Sequence, residues 1–257
     1  MSRSQQWTSA DSHGAPRKSG WKGLIIVLAI YGALVLLWLG ARWLFRPEGL
    51  SVREAVRRAN CKNNLKQISL ALHNYDEMYG SFPPAYIADM NGKPMHRWRV
   101  LLLPYLDASH IYRQYKFDEP WDSPNNRRLA EQMPDVFRCP SSEAGSTMTN
   151  YMTVRGPKTV FPGDKAVRIR DIADGTSKTV AIVEVPGKTV HWLSPDDVSP
   201  EEFVKRLQDA DSGEFQHEGG THVAFCDTVV RFLTSTILRK TLKALLTRDG
   251  KEIVDDF

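Results

Sequence analysis

The residues best equipped for chemistry gather towards the C-terminus, where His217, His222 and Asp227 lie close to Glu214 and Glu218. Imidazoles and carboxylates are ligands for divalent cations, so a metal site is one reading. The spacing favours another. His217 precedes the run His222 to Cys226 and Asp227 follows it, so the two are not neighbours on a regular strand. Capping of loops by hydrogen bonds between the backbone and the side chains of His217 and Asp227 is the favoured reading. Asp174-Gly175-Thr176-Ser177 lacks the glycine pattern and lysine of a P-loop and reads as a turn held by aspartate. Aspartates also cluster at Asp196-Asp197 and at Asp209 and Asp211. They leave calcium open, although no EF-hand spacing is present; no other cofactor is expected.

Nucleophilic chemistry has less support. Cys61, Cys139 and Cys226 show no CxxC spacing, which argues against a zinc ribbon or a thioredoxin-type site. There is no Gly-x-Ser-x-Gly and no Cys–His arrangement at an identifiable motif. The paired carboxylates Asp118/Glu119, Asp196/Asp197 and Glu201/Glu202 fall at helix starts or in loops, where exposed caps explain them. No catalytic residue is assigned. Trp98, Tyr105, Tyr112, Tyr115, Phe117 and Trp121 could line a sugar or peptide groove, with Trp98, Trp121 and Trp192 as its candidate walls. Tyr105 and Tyr112 are also two helical turns apart, which suits a core stripe, the favoured reading.

The elements that would position these residues begin with Leu24 to Ala41, eighteen residues without a charge (LIIVLAIYGALVLLWLGA). At 1.5 Å per residue such a helix is about 27 Å long, close to the ~30 Å hydrocarbon core of a bilayer. Trp21, Trp38 and Trp43 lie near its ends, and Arg42 and Arg46 can snorkel. The expected division is therefore a disordered tail over residues 1–20, a transmembrane anchor over 21–46 and a globular domain over 51–257. A net charge of +4 with scattered basic residues gives no reason to expect nucleic acid as a partner.

Pro47-Glu48-Gly49 reads as a helix break, and Ser51-Val52-Arg53-Glu54 as a capping box opening a second helix. Along it Cys61, Leu65, Ile68, Leu72, Tyr75 and Tyr79 recur at helical spacing, and Gly80 supplies the stop. Thr149 to Val154, Thr179 to Val185, His222 to Cys226 and Val229 to Leu233 read as short strands. Asp227-Thr228 would join the last two as a two-residue hairpin loop, in which type I′ geometry would put a β-branched residue at positive φ. Helices are expected over 98–115 with a break at Pro104, and over 125–132, 199–210 and 237–247. The class is α+β, a long amphipathic helix packed on an antiparallel sheet.

Several blocks resemble a known family. They are RRANCKNNLKQISLALHNYDEMYGSFPPAY from Arg57, WRVLLLPYLD from Trp98, PWDSPNN from Pro120, FRCPSS from Phe137, TNYMTV from Thr149, RIRDIADGTSKTVAIVE from Arg168 and HWLSPDDV from His191. Their order is similar to that of the bacterial domain-of-unknown-function family 1559, also called bacterial solute-binding protein family 10. Its members start like type IV pilins and pseudopilins and end on an H-x9-D-G signature. His217 and Asp227 have that spacing here, with Thr228 in place of the glycine. The prepilin start is missing too: Gly20-Trp21-Lys22-Gly23-Leu24 leads into a span without an acidic residue. The resemblance thus implies a fixed-anchor variant with a pseudopilin-like domain.

Basic residues flank both ends of the span, and counting them would place the C-terminal side in the cytoplasm. Long domains translocate largely regardless of such charge. The expected topology, supported by the resemblance, is N-in in a bacterial inner membrane, with the domain outside the cytoplasm. There disulfides persist. Cys61 and Cys139 both fall within family blocks, which implies a Cys61–Cys139 disulfide; three unpaired buried cysteines are the alternative. The expected role is structural or protein-interacting, among envelope proteins and the bilayer. The competing expectation is an extracytoplasmic module that binds a glycan or peptide.

Overall fold

The structure, a computed structural model, describes residues 20–44, 49–142, 145–209, 216–252 and 254. The chain divides into two compact units, 1–50 and 51–257. Helix α1 (Gly20–Leu44) belongs to the first. Every large apolar side chain described on it is exposed, from Leu24 at 58% through Tyr31 at 69% to Leu36 at 71%. Among the described residues no helix is long and apolar enough to cross a membrane. The expected span runs to Ala41, whereas the described side chains of α1 end at Gly40. The expected tail, apart from Gly20, and the break at Pro47 lie outside the described residues.

The second helix, α2 (Gly49–Tyr79), starts two residues before the expected cap, and Gly49 is its first residue rather than part of a break. Gly80 ends it at φ +74°, a conformation that costs glycine nothing. Cys61, Leu65, Ile68 and Leu72 are fully buried, as the stripe predicts, while Tyr79 at its end is exposed. A hairpin not legible in the sequence follows: β1 (Tyr86–Ala88) pairs antiparallel with β2 (Pro94–Arg97). The expected helix over 98–115 breaks into α3 (Trp98–Leu101), a 3-10 turn at Leu103–Tyr105 and α4 (Ser109–Gln114). Proline lacks the N–H that a continuous helix needs, so Pro104 falls in the turn. The helix expected at 125–132 is α5 (Pro124–Arg127) followed by a 3-10 turn, with Ser123 capping α5 through the Asn126 N–H at 3.1 Å.

Short β3 (Met148–Thr149) leads into β4 (Tyr151–Thr153), β5 (Val180–Glu184) and β6 (Val190–His191), and β6 pairs with β3. Helix α6 (Pro200–Gln208) is capped by Ser199, whose hydroxyl accepts from the Glu202 N–H at 3.1 Å. Strands β7 (Gly220–Phe225) and β8 (Val230–Thr234) and helix α7 (Arg239–Leu245) complete the domain. The main sheet is antiparallel in the order β4-β5-β7-β8.

Both faces of this sheet are covered. Ile182 and Ala224 share one core with Leu65, Ile68 and Leu72 of α2, while Val183 and Val223 share another with Phe203, Leu207, Leu242 and Leu245 of α6 and α7. Side-chain alternation along the strands separates the two cores. Each fully buried leucine or isoleucine stabilises the domain by roughly 1.5–3 kcal/mol. The sheet is therefore enclosed by helices on both sides, whereas the α2 stripe alone predicted a partner for one.

The β7–β8 connection departs from the expected two-residue loop. Thr228 N–H donates to the Phe225 carbonyl at 3.1 Å, Phe225 N–H to the Val229 carbonyl at 2.9 Å, and Thr228 sits at φ +71°. That is a turn followed by a residue in the left-handed region, where glycine is usual. The threonine accepts the strain, and Asp227 Oδ1 supports the turn by accepting from the Val229 N–H at 3.0 Å.

Candidate functional site

Where α2 crosses the ends of β5 and β7, Cys61, Cys139, Glu184 and His217 converge. Their ligand-capable atoms all lie within 4.8 Å of one another, and all four residues are buried. Each comes from a different part of the chain. Cys61 opens the apolar stripe of α2. Cys139 follows the 3-10 turn at Asp135–Phe137, which packs Phe137 into the core. Glu184 ends β5. His217 sits before β7, in an isolated bridge to Gly220. That bridge needs two glycines. Gly219 has φ +80°, and a Cβ on Gly220 would collide with the Leu233 carbonyl oxygen on β8.

A ring of polar groups holds the four in place. His217 Nδ1 lies 2.7 Å from Glu54 Oε1, and Arg57 pairs with the same carboxylate at 2.7 Å. Glu54 therefore serves His217 and Arg57 rather than a capping box. His217 Nε2 has no hydrogen-bond partner and stands 3.6 Å from Glu184 Oε2. Glu184 is held by His222 Nδ1 at 3.3 Å and by the Asn150 side-chain amide at 3.3 Å. Among the described residues its only ion-pair partners are these two imidazoles. The Cys139 thiol beside it holds Cys61 down at about 6 against the opposing effect of burial. The same contact, with burial, pushes Cys139 up. Burial pushes the Glu184 carboxyl up, but the imidazoles of His222 and His217 outweigh it and leave it lowered.

Cys61, His217 and Glu54 together form a thiol–imidazole–carboxylate series, the arrangement that activates a nucleophile. Here the thiol is fully buried, with Cys139 and Glu184 close around it. A buried polar cluster of this kind can bind a cation or tie elements together. Cys61 and Cys139 are both free thiols in this structure.

The other candidates fall elsewhere. His217 and His222 meet at 4.8 Å between ring centroids, whereas Asp227 caps its turn away from them, Glu218 is exposed and Glu214 lies outside the described residues. Cys226 is buried, and its carbonyl faces His73 Nε2 at 2.7 Å. Asp174 accepts from the Gly250 and Lys251 N–H groups, each at 2.7 Å, and so fastens the C-terminal segment. Asp197 pairs with buried Arg97, Ser194 donates to Asp196 at 2.5 Å, and Asp209 lies 3.6 Å from Arg239; Asp211 lies outside the described residues. The tryptophan groove is not formed. Trp98 and Trp192 are fully buried, with Trp192 donating to the Ala130 carbonyl at 2.9 Å, and only Trp121 is partly exposed. None of the three lines either of the two described surface pockets. Their rings instead pack the core, Trp98 edge-on to Phe137 and Trp192 stacked on it.

Sequence reasoning missed Glu54 and Glu184. Glu54 was absorbed by a capping pattern, and Glu184 is the closing residue of an otherwise apolar strand, a signal that a buried acid needs a partner. No curated protein and no solved structure matches the chain. A family model described as SBP_bac_10, protein of unknown function (DUF1559), matches residues 50–212, which include three of the four clustered residues. With well over half of its length matched, the chain belongs to the DUF1559 family.

Proposed function

We propose that this chain is a single-pass membrane protein whose pseudopilin-like domain, outside the cytoplasm, has a non-catalytic structural or protein-interaction role in the cell envelope. One observation carries the reading: the described apolar side chains of α1 are exposed on every side, Leu37 at 69% and Trp38 at 58% among them. A helix that is apolar all round belongs in a protein core or in lipid. The charge-free run from Leu24 to Ala41, eighteen residues of the sequence, suits a bilayer about 30 Å thick. The fully buried Cys61, the burial of Trp98 and Trp192 and the close packing of both cores support a scaffold over an enzyme or a solute binder.

Carbonate extraction of membranes from expressing cells tests the anchor. The full-length protein is expected in the pellet, and a chain starting at Ser51 in the supernatant. Alkaline phosphatase fused after Phe257 is expected to be active, reporting an exported C-terminus. Full-length protein in the carbonate wash would refute the anchor, and an inactive phosphatase fusion would refute the topology.

A further inference from the structure

We propose that Cys61, Cys139, Glu184 and His217 form a structural zinc site that ties α2 to the sheet. The ligand set is two sulfurs, one imidazole nitrogen and one carboxylate oxygen, a combination suited to a tetrahedral, borderline-soft cation. With zinc–sulfur bonds of about 2.3 Å and zinc–nitrogen or –oxygen bonds of about 2.0–2.1 Å, tetrahedral edges are about 3.3–3.8 Å. The 3.6 Å between His217 Nε2 and Glu184 Oε2 is such an edge, and it is too long for a hydrogen bond. The complete set within 4.8 Å closes on a cation with shifts of about 1 Å, which side-chain rotation can supply.

The surroundings point the same way. Glu54 fixes the ring of His217: Nδ1 lies 2.7 Å from the carboxylate, and Nε2, which has no hydrogen-bond partner, belongs to the cluster. A carboxylate orienting a ligating histidine from behind is the usual second layer of a zinc site. Glu184 is likewise oriented by His222 and Asn150. Without a cation, Nε2 makes no hydrogen bond in a dry interior, and a buried polar atom left without one is unfavourable. All four positions are taken by protein, leaving no place for water or substrate, so the site would be structural rather than catalytic. This assignment is independent of the membrane anchor. It competes directly with the disulfide implied by the family blocks, because bridged sulfurs offer no thiolates.

The test uses the full-length chain, purified in detergent without reductant or chelator. Elemental analysis is expected to give roughly one zinc per chain. Cobalt exchanged for zinc is expected to show thiolate-to-cobalt charge transfer and the intense visible bands of a tetrahedral site. Cys226→Ala is expected to keep the metal. Glu54→Gln, which leaves every ligand in place, is expected to bind zinc about 10–100-fold more weakly in competition with a chromogenic chelator. A chain folded by circular dichroism that takes up neither zinc nor cobalt would overturn the proposal. So would a linked Cys61–Cys139 peptide in a non-reducing map, or an affinity unchanged by Glu54→Gln.

Discussion

Removing the Asp197 carboxylate should be among the most damaging single changes to this domain. Arg97, the last residue of β2, pairs with Asp197, and both side chains are fully buried. Burial lowers the Arg97 guanidinium to about 10 even though Asp197 and Asp196 oppose the shift, a measure of how dry the site is. Leaving such a charge unpaired costs about 3–5 kcal/mol. Asp197 Oδ1 also accepts from the Thr153 N–H of β4 at 2.9 Å, and an orphaned buried donor costs a further 1–3 kcal/mol or so. Asp197→Ala loses both interactions, whereas Asp197→Asn can keep the second through its amide oxygen. Urea unfolding of the full-length chain in mild detergent, followed by the fluorescence of buried Trp98 and Trp192, gives the comparison. With a denaturant slope of about 2 kcal/mol per molar, a loss of about 4 kcal/mol lowers the midpoint by about 2 M. Asp197→Asn should fall between wild type and alanine. The double change Arg97→Met with Asp197→Leu should recover most of the loss, since apolar replacement of a buried pair is often neutral or better. A midpoint shift below about 0.5 M for Asp197→Ala would mean that water reaches Arg97, and the reasoning would be wrong.

Thr228→Gly should stabilise the domain by about 1 kcal/mol, because a β-branched residue at φ +71° is relieved; an unchanged or lower melting temperature would show that the turn relaxes at no cost. His96 is buried, with Nε2–H donating to the Phe117 carbonyl at 2.9 Å and Nδ1 accepting from the Tyr115 hydroxyl at 3.0 Å. Burial holds its pKa below 6.5, partly opposed by the Phe117 bond. Above 6.5 the ring is neutral in both folded and unfolded chains. As pH falls below 6.5 the unfolded chain takes up a proton that the folded one resists, so stability is lost towards the lower folded value. The loss is at most about 1.4 kcal/mol per pH unit, and His96→Gln should flatten it when urea midpoints are compared at about pH 7.5 and 5.5. Parallel profiles for wild type and variant would refute the assignment.

Periodicity and turn chemistry are local, and they made α2, its stop at Gly80, the helix α6 and four strands legible from residue types alone. The charge-free run of α1 was legible for the same reason. Harder to read were elements whose identity depends on neighbours. Strand β2 contains a proline and two basic residues, and it exists because β1 pairs with it and Asp197 neutralises Arg97. Thr228 breaks a local backbone rule, and only the closure of β7 on β8 holds it there. The cluster shows the same division. Cys61, Cys139 and His217 were each singled out by sequence, but as members of separate motifs, two for a disulfide and one for a loop cap. Glu54 lies 163 positions from the histidine it orients. No spacing rule connects residues that far apart. The crossing of α2 over the sheet brings them together, and the low dielectric of the interior makes their mutual orientation matter. The sequence determined which side chains could ligate; tertiary packing decided that two sulfurs, an imidazole and a carboxylate would face one another.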